Sequence, residues 1–187
     1  MKQTENQLQE LINEHKRADN NSAALYVTSY GRYNEYGGLS GMWVDLTTFY
    51  DIDDFKEFCT DYLGENAEPM FCDYENLPGN LYSESWDDGR LELLFGWLDL
   101  DDADRETVKE YWEYVSSDCT DLQEMLNALV YKGDDFNEYY DELADKMINE
   151  SGVPECITRY FDYAAWRRER AFDYYEGDRC LFSSYYC

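Results

Sequence analysis

Residues that could carry catalysis or bind a metal are scarce in this sequence, apart from carboxylates. The 187 residues include one histidine, His15, in a polar segment near the N-terminus. A Ser/His/Asp or Cys/His centre would have to be built on that residue, because such centres use histidine as the base. The cysteines are dispersed and form no CxxC pair, which predicts reduced thiols and no transition-metal site. They are Cys59, Cys72, Cys119, Cys156, Cys180 and Cys187.

Motifs for phosphate and calcium are also missing. No GxGxxG or GK[ST] loop occurs. The best EF-hand register runs from Asp99 to Glu110, but Asp104 stands where that loop needs glycine for its sharp turn. Carboxylate pairs occur all along the chain, so none is singled out as a general acid and base. We predict no metal, no cofactor and no enzymatic activity, with a carboxylate-dependent hydrolase as an alternative.

The charge of the chain is strongly negative and unevenly distributed. It has 42 Asp and Glu against 15 Lys and Arg, a net charge of −27. Residues 23–157 hold 33 of the acids and 7 of the bases, whereas residues 158–187 hold five of each. DNA, RNA and anionic membranes all need a basic face, so none is predicted as a partner. Repulsion among so many negative charges opposes folding, so the charge is expected to have a function. Halophilic adaptation is the other explanation.

The composition otherwise predicts a folded protein with an aromatic core. There are 19 Tyr, 9 Phe and 5 Trp but only three prolines. Met1 to Arg17 lacks the apolar stretch of a signal peptide, and Leu91 to Leu100 is too short and too charged to span a bilayer. These features predict a cytoplasmic protein.

The first half of the chain reads as a small sheet with a helix. Strands are predicted at Ala24–Tyr30 and Leu39–Leu46 around a loop rich in Tyr, Asn and Gly, with a third at Met70–Tyr74. Asp51 is positioned to cap a helix between the second and third strands. Gln3–Arg17 has helical spacing and is predicted as a short helix outside the main body.

From about Asp88 the apolar residues recur with the spacing of α-helices. Four short amphipathic helices with acidic outer faces predict a small bundle. Thr120 and Gln123 are spaced as a capping box for the third, whose apolar stripe runs from Leu122 to Val130. The apolar stripes of the other three begin at Leu91, Val108 and Phe136.

The end of the chain is predicted to mix strands and a helix. A short strand near Ile157–Tyr160 is followed by a helix over Asp162–Tyr175 and a closing strand at Cys180–Tyr185. This neutral, ring-rich segment either completes the core of its own domain or forms a self-association surface, since two anionic bodies would meet best on a neutral face. The two are compatible. Candidate interface residues are Tyr160, Phe161, Tyr163, Trp166 and Phe182.

The net negative charge can be expressed as an equivalent length of duplex DNA. Duplex DNA carries one charge per about 1.7 Å, so roughly 27 charges correspond to about 46 Å of duplex. Carboxylates at this density could occupy a groove made for phosphates, where Lys and Arg would pair with them. The acids predicted on outer helix and loop faces are Asp53, Asp54, Glu57, Asp61, Asp87, Asp88, Asp101, Asp102, Asp104, Glu106, Glu110, Glu113, Asp134, Asp135, Glu138, Asp141, Glu142 and Asp145.

Several segments resemble one known family in order and spacing. They are Ala24-Leu25-Tyr26-Val27, Tyr33-Asn34, Gly38 to Asp45, Asp51 to Leu63, Phe71 to Glu75, Ser83-Glu84, Tyr160 to Tyr163, Arg167-Arg168 and Phe182. Together they resemble the ArdA family of antirestriction proteins over about residues 23–187. Leu126 to Leu143 follows the family's antirestriction motif only loosely, retaining Tyr131, Gly133 and Phe136. Residues 1–22 are an extension without a match.

The resemblance implies a non-enzymatic mimic of bent B-form DNA that blocks the DNA groove of type I restriction–modification enzymes. It further implies a mobile-element or phage origin, action in a bacterial host cell, and an elongated homodimer of α+β class. Each chain would have three small domains after the 1–22 extension: a sheet with a helix (23–80), an acidic helical bundle (81–131) and an α/β domain (132–187). A mimic aimed at another DNA-binding target, such as a nucleoid protein, repair enzyme or CRISPR complex, and an acidic adaptor are the alternatives.

Overall fold

The computed structural model describes residues 5–186, without the side chains of Leu39 and Tyr186. The chain divides into two compact units, Met1–Asp99 and Leu100–Cys187. Each contains one three-stranded antiparallel sheet with helices around it, which confirms the mixed helix-and-sheet class. The division into three domains stays a prediction. Within the described residues, no helix has the length and apolar character needed to cross a membrane.

Unit 1 is built around a central strand. Its elements are α1 (Glu5–His15), β1 (Ala24–Ser29), α2 (Tyr30–Tyr36), β2 (Met42–Asp45), α3 (Ile52–Leu63), β3 (Pro69–Glu75) and α4 (Asp88–Leu98), with 3-10 turns at Gly37–Leu39, Leu46–Thr48 and Gly79–Leu81. The strand order is β2-β1-β3. Leu25 pairs with Val44 on one side and with Tyr74 on the other. The three predicted strands are confirmed.

The segment between the first two strands differs from the predicted loop. It contains the helix α2, because the Ser29 hydroxyl accepts a hydrogen bond from the backbone N–H of Arg32 at 3.2 Å and so caps the first turn. The cap predicted at Asp51 is confirmed, since its carboxylate accepts from Asp54 N at 3.0 Å.

The predicted position of α1 outside the main body is wrong. The His15 ring is buried, stacks on Phe49 with 4.2 Å between ring centroids, and meets Phe58 edge-on at 5.1 Å. Its Nδ1 lies 2.8 Å from Thr48 Oγ1. The apolar positions of a short amphipathic helix are stable only when they are covered, and here α3 and the turn before it supply that cover.

Unit 2 consists of α5 to α9 and the second sheet. Its elements are α5 (Asp102–Tyr114), α6 (Leu122–Ala128), β4 (Leu129–Lys132), α7 (Phe136–Ser151), α8 (Glu155–Thr158), α9 (Tyr163–Arg170), β5 (Tyr174–Glu176) and β6 (Cys180–Ser183), with 3-10 turns at Ala171–Asp173 and Ser184–Tyr186. The strand order is β4-β6-β5, all antiparallel. The central strand β6 is buried along its length, and Phe182 packs edge-on against Tyr111 at 5.4 Å.

Two predictions near the third helix are wrong. The residue that caps α6 is Asp121, whose carboxylate accepts from Glu124 N at 3.0 Å, and the capping box at Thr120 and Gln123 does not form. The helix also ends before Leu129, because residues 129–132 pair with β6. The four predicted helices exist as α4, α5, α6 and α7. The division between the units falls after α4, and β4 separates α6 from α7.

The predicted strand near Ile157–Tyr160 is instead the short helix α8. It follows Pro154, whose carbonyl accepts the N–H of Ile157 at 2.8 Å. Pro154 lies just before the first turn, with φ −58° and ψ 139°, a position where its missing N–H leaves no helical hydrogen bond unmade. The next helix ends at Arg170, five residues earlier than predicted, because the chain turns there into β5.

Candidate acidic binding surface

Both units are strongly acidic. Residues 1–99 hold 20 Asp and Glu against 6 Lys and Arg, and residues 100–187 hold 22 against 9. Fifteen of the eighteen predicted surface acids are exposed; the other three, Asp104, Glu110 and Asp141, are half-buried. The negative charge is therefore a property of the surface of each unit.

Many of these carboxylates lie at helix N-termini. In the described chain, α3, α4, α5, α6, α7 and α9 each begin after an aspartate whose side chain accepts a backbone N–H of the first turn. The cap satisfies amides that lack an intrahelical partner, and the negative charge faces the positive end of the helix dipole. Like charges can thus be concentrated at these ends while each is locally stabilised. The caps are Asp51, Asp87, Asp101, Asp121, Asp135 and Asp162.

Ion pairs neutralise some of the predicted acids, among them Asp141 and Asp88. The Arg167 guanidinium binds both oxygens of Asp141, with 2.7 Å between Nε and Oδ1, and lowers the pKa of that carboxyl. Lys56 Nζ lies 3.0 Å from Asp88 and lowers its pKa in the same way. Exposed pairs such as Lys56–Asp88 contribute little to stability. Further pairs are Asp102–Arg105, Glu106–Lys109 and Asp134–Arg179.

Glu110 serves the fold of unit 2 rather than its outer surface. Its Oε2 accepts the backbone N–H groups of Arg179 and Cys180, each at 2.9 Å. The carboxylate thus ties α5 to the turn between β5 and β6. No local pattern in the sequence could identify this contact, because the partners lie about seventy residues away.

Tyrosine hydroxyls hold four further carboxylates of unit 2. Tyr114 donates to Asp178 at 2.8 Å and Tyr140 to Glu176 at 2.9 Å. Neither acid was predicted from the sequence, in which the high tyrosine count is the signal for such pairs. The other two pairs are Tyr163–Asp145 and Tyr131–Glu138.

The candidate self-association residues fall into different environments. Phe182 is buried in the core of unit 2, so it does not belong to the candidate self-association surface. Trp166 and Phe161 are half-buried, and Trp166 Nε1 donates to the carbonyl of Tyr140 at 3.0 Å, so it packs α9 on α7. Tyr160 is 76% exposed. Three exposed rings of the same segment were not among the candidates: Phe172, Tyr175 and Tyr185.

No group of three or more His, Cys, Asp or Glu within residues 5–186 could hold a metal ion. Cys59, Cys72, Cys119, Cys156 and Cys180 are free thiols, and burial raises the pKa of Cys59 well above its usual range. Cys187 lies outside the described residues.

The fold and the surface define an acidic α+β protein whose helices begin with exposed carboxylates. The family model for the antirestriction protein ArdA matches residues 25–177. The chain therefore belongs to the ArdA antirestriction family, as its resemblance predicted. The match begins at the second residue of β1, so α1 and the segment after it precede the matched region. A search among curated proteins found no match.

Proposed function

We propose that this antirestriction protein occupies the DNA-binding groove of type I restriction–modification enzymes, with its carboxylates in the place of DNA phosphates. Membership of the ArdA family carries the antirestriction function. The observation that supports mimicry is the exposure of fifteen predicted acids on both units, many of them at capped helix ends. Lys and Arg that bind phosphate oxygens would bind carboxylate oxygens by the same charge-assisted hydrogen bonds.

The partner in this proposal is the methyltransferase core of the enzyme, in the cytoplasm of a bacterial host. The protein acts stoichiometrically and performs no catalysis. Binding energy is distributed over many exposed pairs, each contributing about 0.2–1 kcal/mol. Neutralising one acid should therefore weaken inhibition by about 1.4- to 5-fold, and blocks of changes should act cumulatively.

The experiment is a titration of the protein into a type I methyltransferase bound to labelled target DNA, at two salt concentrations. We expect stoichiometric displacement that weakens at high salt. The block Glu57→Gln, Glu113→Gln and Glu142→Gln should displace DNA less well, whereas the control block Glu57→Asp, Glu113→Asp and Glu142→Asp keeps the charge and should remain active. No displacement at low salt would contradict the proposal and direct the search to other DNA-binding proteins. Loss of all activity from one neutralised acid would instead indicate a discrete site.

We also propose that two copies associate through the neutral end of unit 2. Tyr160, Phe172 and Tyr185 are 76%, 87% and 83% exposed, in a segment with five acids and five bases. Large exposed rings without a net charge are typical of a contact surface. Sedimentation should detect a dimer that Tyr160→Asp with Phe172→Asp weakens. An unchanged dimer in this double variant would exclude this surface.

A further inference from the structure

Two carboxylates of the candidate acidic surface are held by tyrosines. Tyr163, the first residue of α9, donates its hydroxyl hydrogen to Oδ1 of the exposed Asp145 on α7. Tyr131, on β4, directs its hydroxyl at Glu138 Oε2, 3.4 Å away in the first turn of α7. Both acids belong to the surface through which we propose that the protein binds.

Residues around Tyr131 restrict its ring. A Cβ atom at Gly133 would lie 2.5 Å from the Tyr131 hydroxyl oxygen and 2.7 Å from its ring carbons, so the ring occupies space that only glycine leaves open. Phe136 meets the same ring edge-on, with 6.3 Å between centroids. Tyr131, Gly133 and Phe136 therefore form one cluster, and it faces Glu138.

A tyrosine holds a carboxylate differently from a cation. Asp141 lies one turn before Asp145 on α7, and there the Arg167 guanidinium cancels the charge that it binds. A phenol is neutral, so it fixes the carboxylate and leaves the negative charge in place. The hydrogen bond to Asp145 raises the pKa of Tyr163, as expected when the protonated phenol donates to a carboxylate.

We propose that Tyr163 and Tyr131 are positioning residues for DNA mimicry, whose hydroxyls hold Asp145 and Glu138 in place without neutralising them. The inference rests on the proposed function, since it assigns these tyrosines a part in the same surface. A carboxylate that is ordered before binding loses less side-chain entropy on meeting its partner, an effect worth about 2- to 10-fold in affinity per side chain.

The test is DNA displacement by Tyr163→Phe, Asp145→Asn and the double variant. Tyr163→Phe should weaken inhibition by about 2- to 10-fold, and it should have no further effect when Asp145 is already Asn. Tyr163→Phe leaves the number of charges unchanged, so the salt dependence of inhibition should keep its slope, whereas Asp145→Asn should reduce it. Tyr50→Phe, at a tyrosine that is 89% exposed, is the matched control.

Tyr131→Phe and Gly133→Ala test the second pair. Both should weaken inhibition in the same range, since the first removes the hydroxyl and the second displaces the ring. Melting temperatures close to that of the parent protein establish that the variants are folded. Full inhibition by Tyr163→Phe and Tyr131→Phe, or additive effects with Asp145→Asn, would overturn the positioning role alone. A parent protein that displaces no DNA would overturn the proposed function, and this inference with it.

Discussion

Glu110 and Cys180 lie seventy residues apart and are joined by one hydrogen bond, in which the carboxylate accepts the Cys180 N–H at 2.9 Å. The same oxygen accepts the N–H of Arg179. A Cβ atom at Gly177 would lie only 2.5 Å from this oxygen, so the turn packs closely against the carboxylate. An acid that looks like part of a solvated face thus organises the entry into the central strand of unit 2.

Glu110→Ala should lower the free energy of unfolding by about 2 kcal/mol, because two backbone N–H groups lose a charged acceptor. Glu110→Gln keeps an acceptor oxygen and should lose less. Urea unfolding of both variants checks this. Glu113→Ala, on the exposed side of the same helix, is the control, and an equal loss in all three would contradict the special role of Glu110.

His15→Ala should lower the free energy of unfolding of unit 1 by about 2 kcal/mol, since the Phe49 and Phe58 rings lose their cover. His15→Phe keeps the stacking, loses the contact with Thr48, and should cost about 1 kcal/mol. Denaturant unfolding of the full chain, followed by a probe in unit 1, measures both. Unchanged stability in His15→Ala would contradict a stabilising role for the His15 contacts.

Substitutions at the helix caps can separate the effect of charge on inhibition from the effect of fold stability. Asp101→Ala removes the bond to Asp104 N, 2.8 Å long, and should cost about 1 kcal/mol of stability, whereas Asp101→Asn retains an acceptor for that N–H. Both remove the same negative charge, so both should weaken DNA displacement equally. Thermal unfolding and the displacement assay are measured side by side. Weaker displacement by the alanine variant alone would show that fold stability, not charge, sets the inhibition.

Added salt should act in opposite directions on folding and on inhibition. It shortens the Debye length from about 10 Å at 0.1 M to about 3 Å at 1 M, which relieves repulsion among the 42 acids and raises the melting temperature. The same screening should weaken DNA displacement. The block variant with three neutralised glutamates should gain less in melting temperature than the parent protein. If salt changed neither the melting temperature nor DNA displacement, the negative charge of the protein would have no role in folding or inhibition.

Tyr114 should make stability fall at alkaline pH. Its hydrogen bond to Asp178, its desolvation and nearby acids raise its pKa to about 12 in the folded state. The unfolded chain ionises first, near pH 10, so this contribution is complete below pH 10 and is lost as the pH rises towards 12. The stability difference between the parent protein and Tyr114→Phe should therefore be constant below pH 10 and shrink above it. Urea unfolding from pH 8 to 12 measures this difference, and one that does not change with pH would contradict the assignment.

Features that depend on neighbours in the chain were predictable. The strands around Leu25 and Phe71 follow from β-rich apolar runs, and the cap at Asp51 follows from a single side chain reaching an amide three residues on. The net charge needs no structure, and the ordered set of motifs along residues 23–187 indicated the family.

Tertiary contacts decided the rest. Leu129 and Val130 continue a helical stripe in the sequence, yet they form a strand because β6 lies beside them to pair with. The sequence determined how much negative charge the protein carries and where most helices begin, since both are local properties. The fate of individual acids depends on packing: Arg167 neutralises Asp141, whereas Tyr163 holds Asp145 with its charge retained, because both partners lie on α9, a different helix that packs against α7.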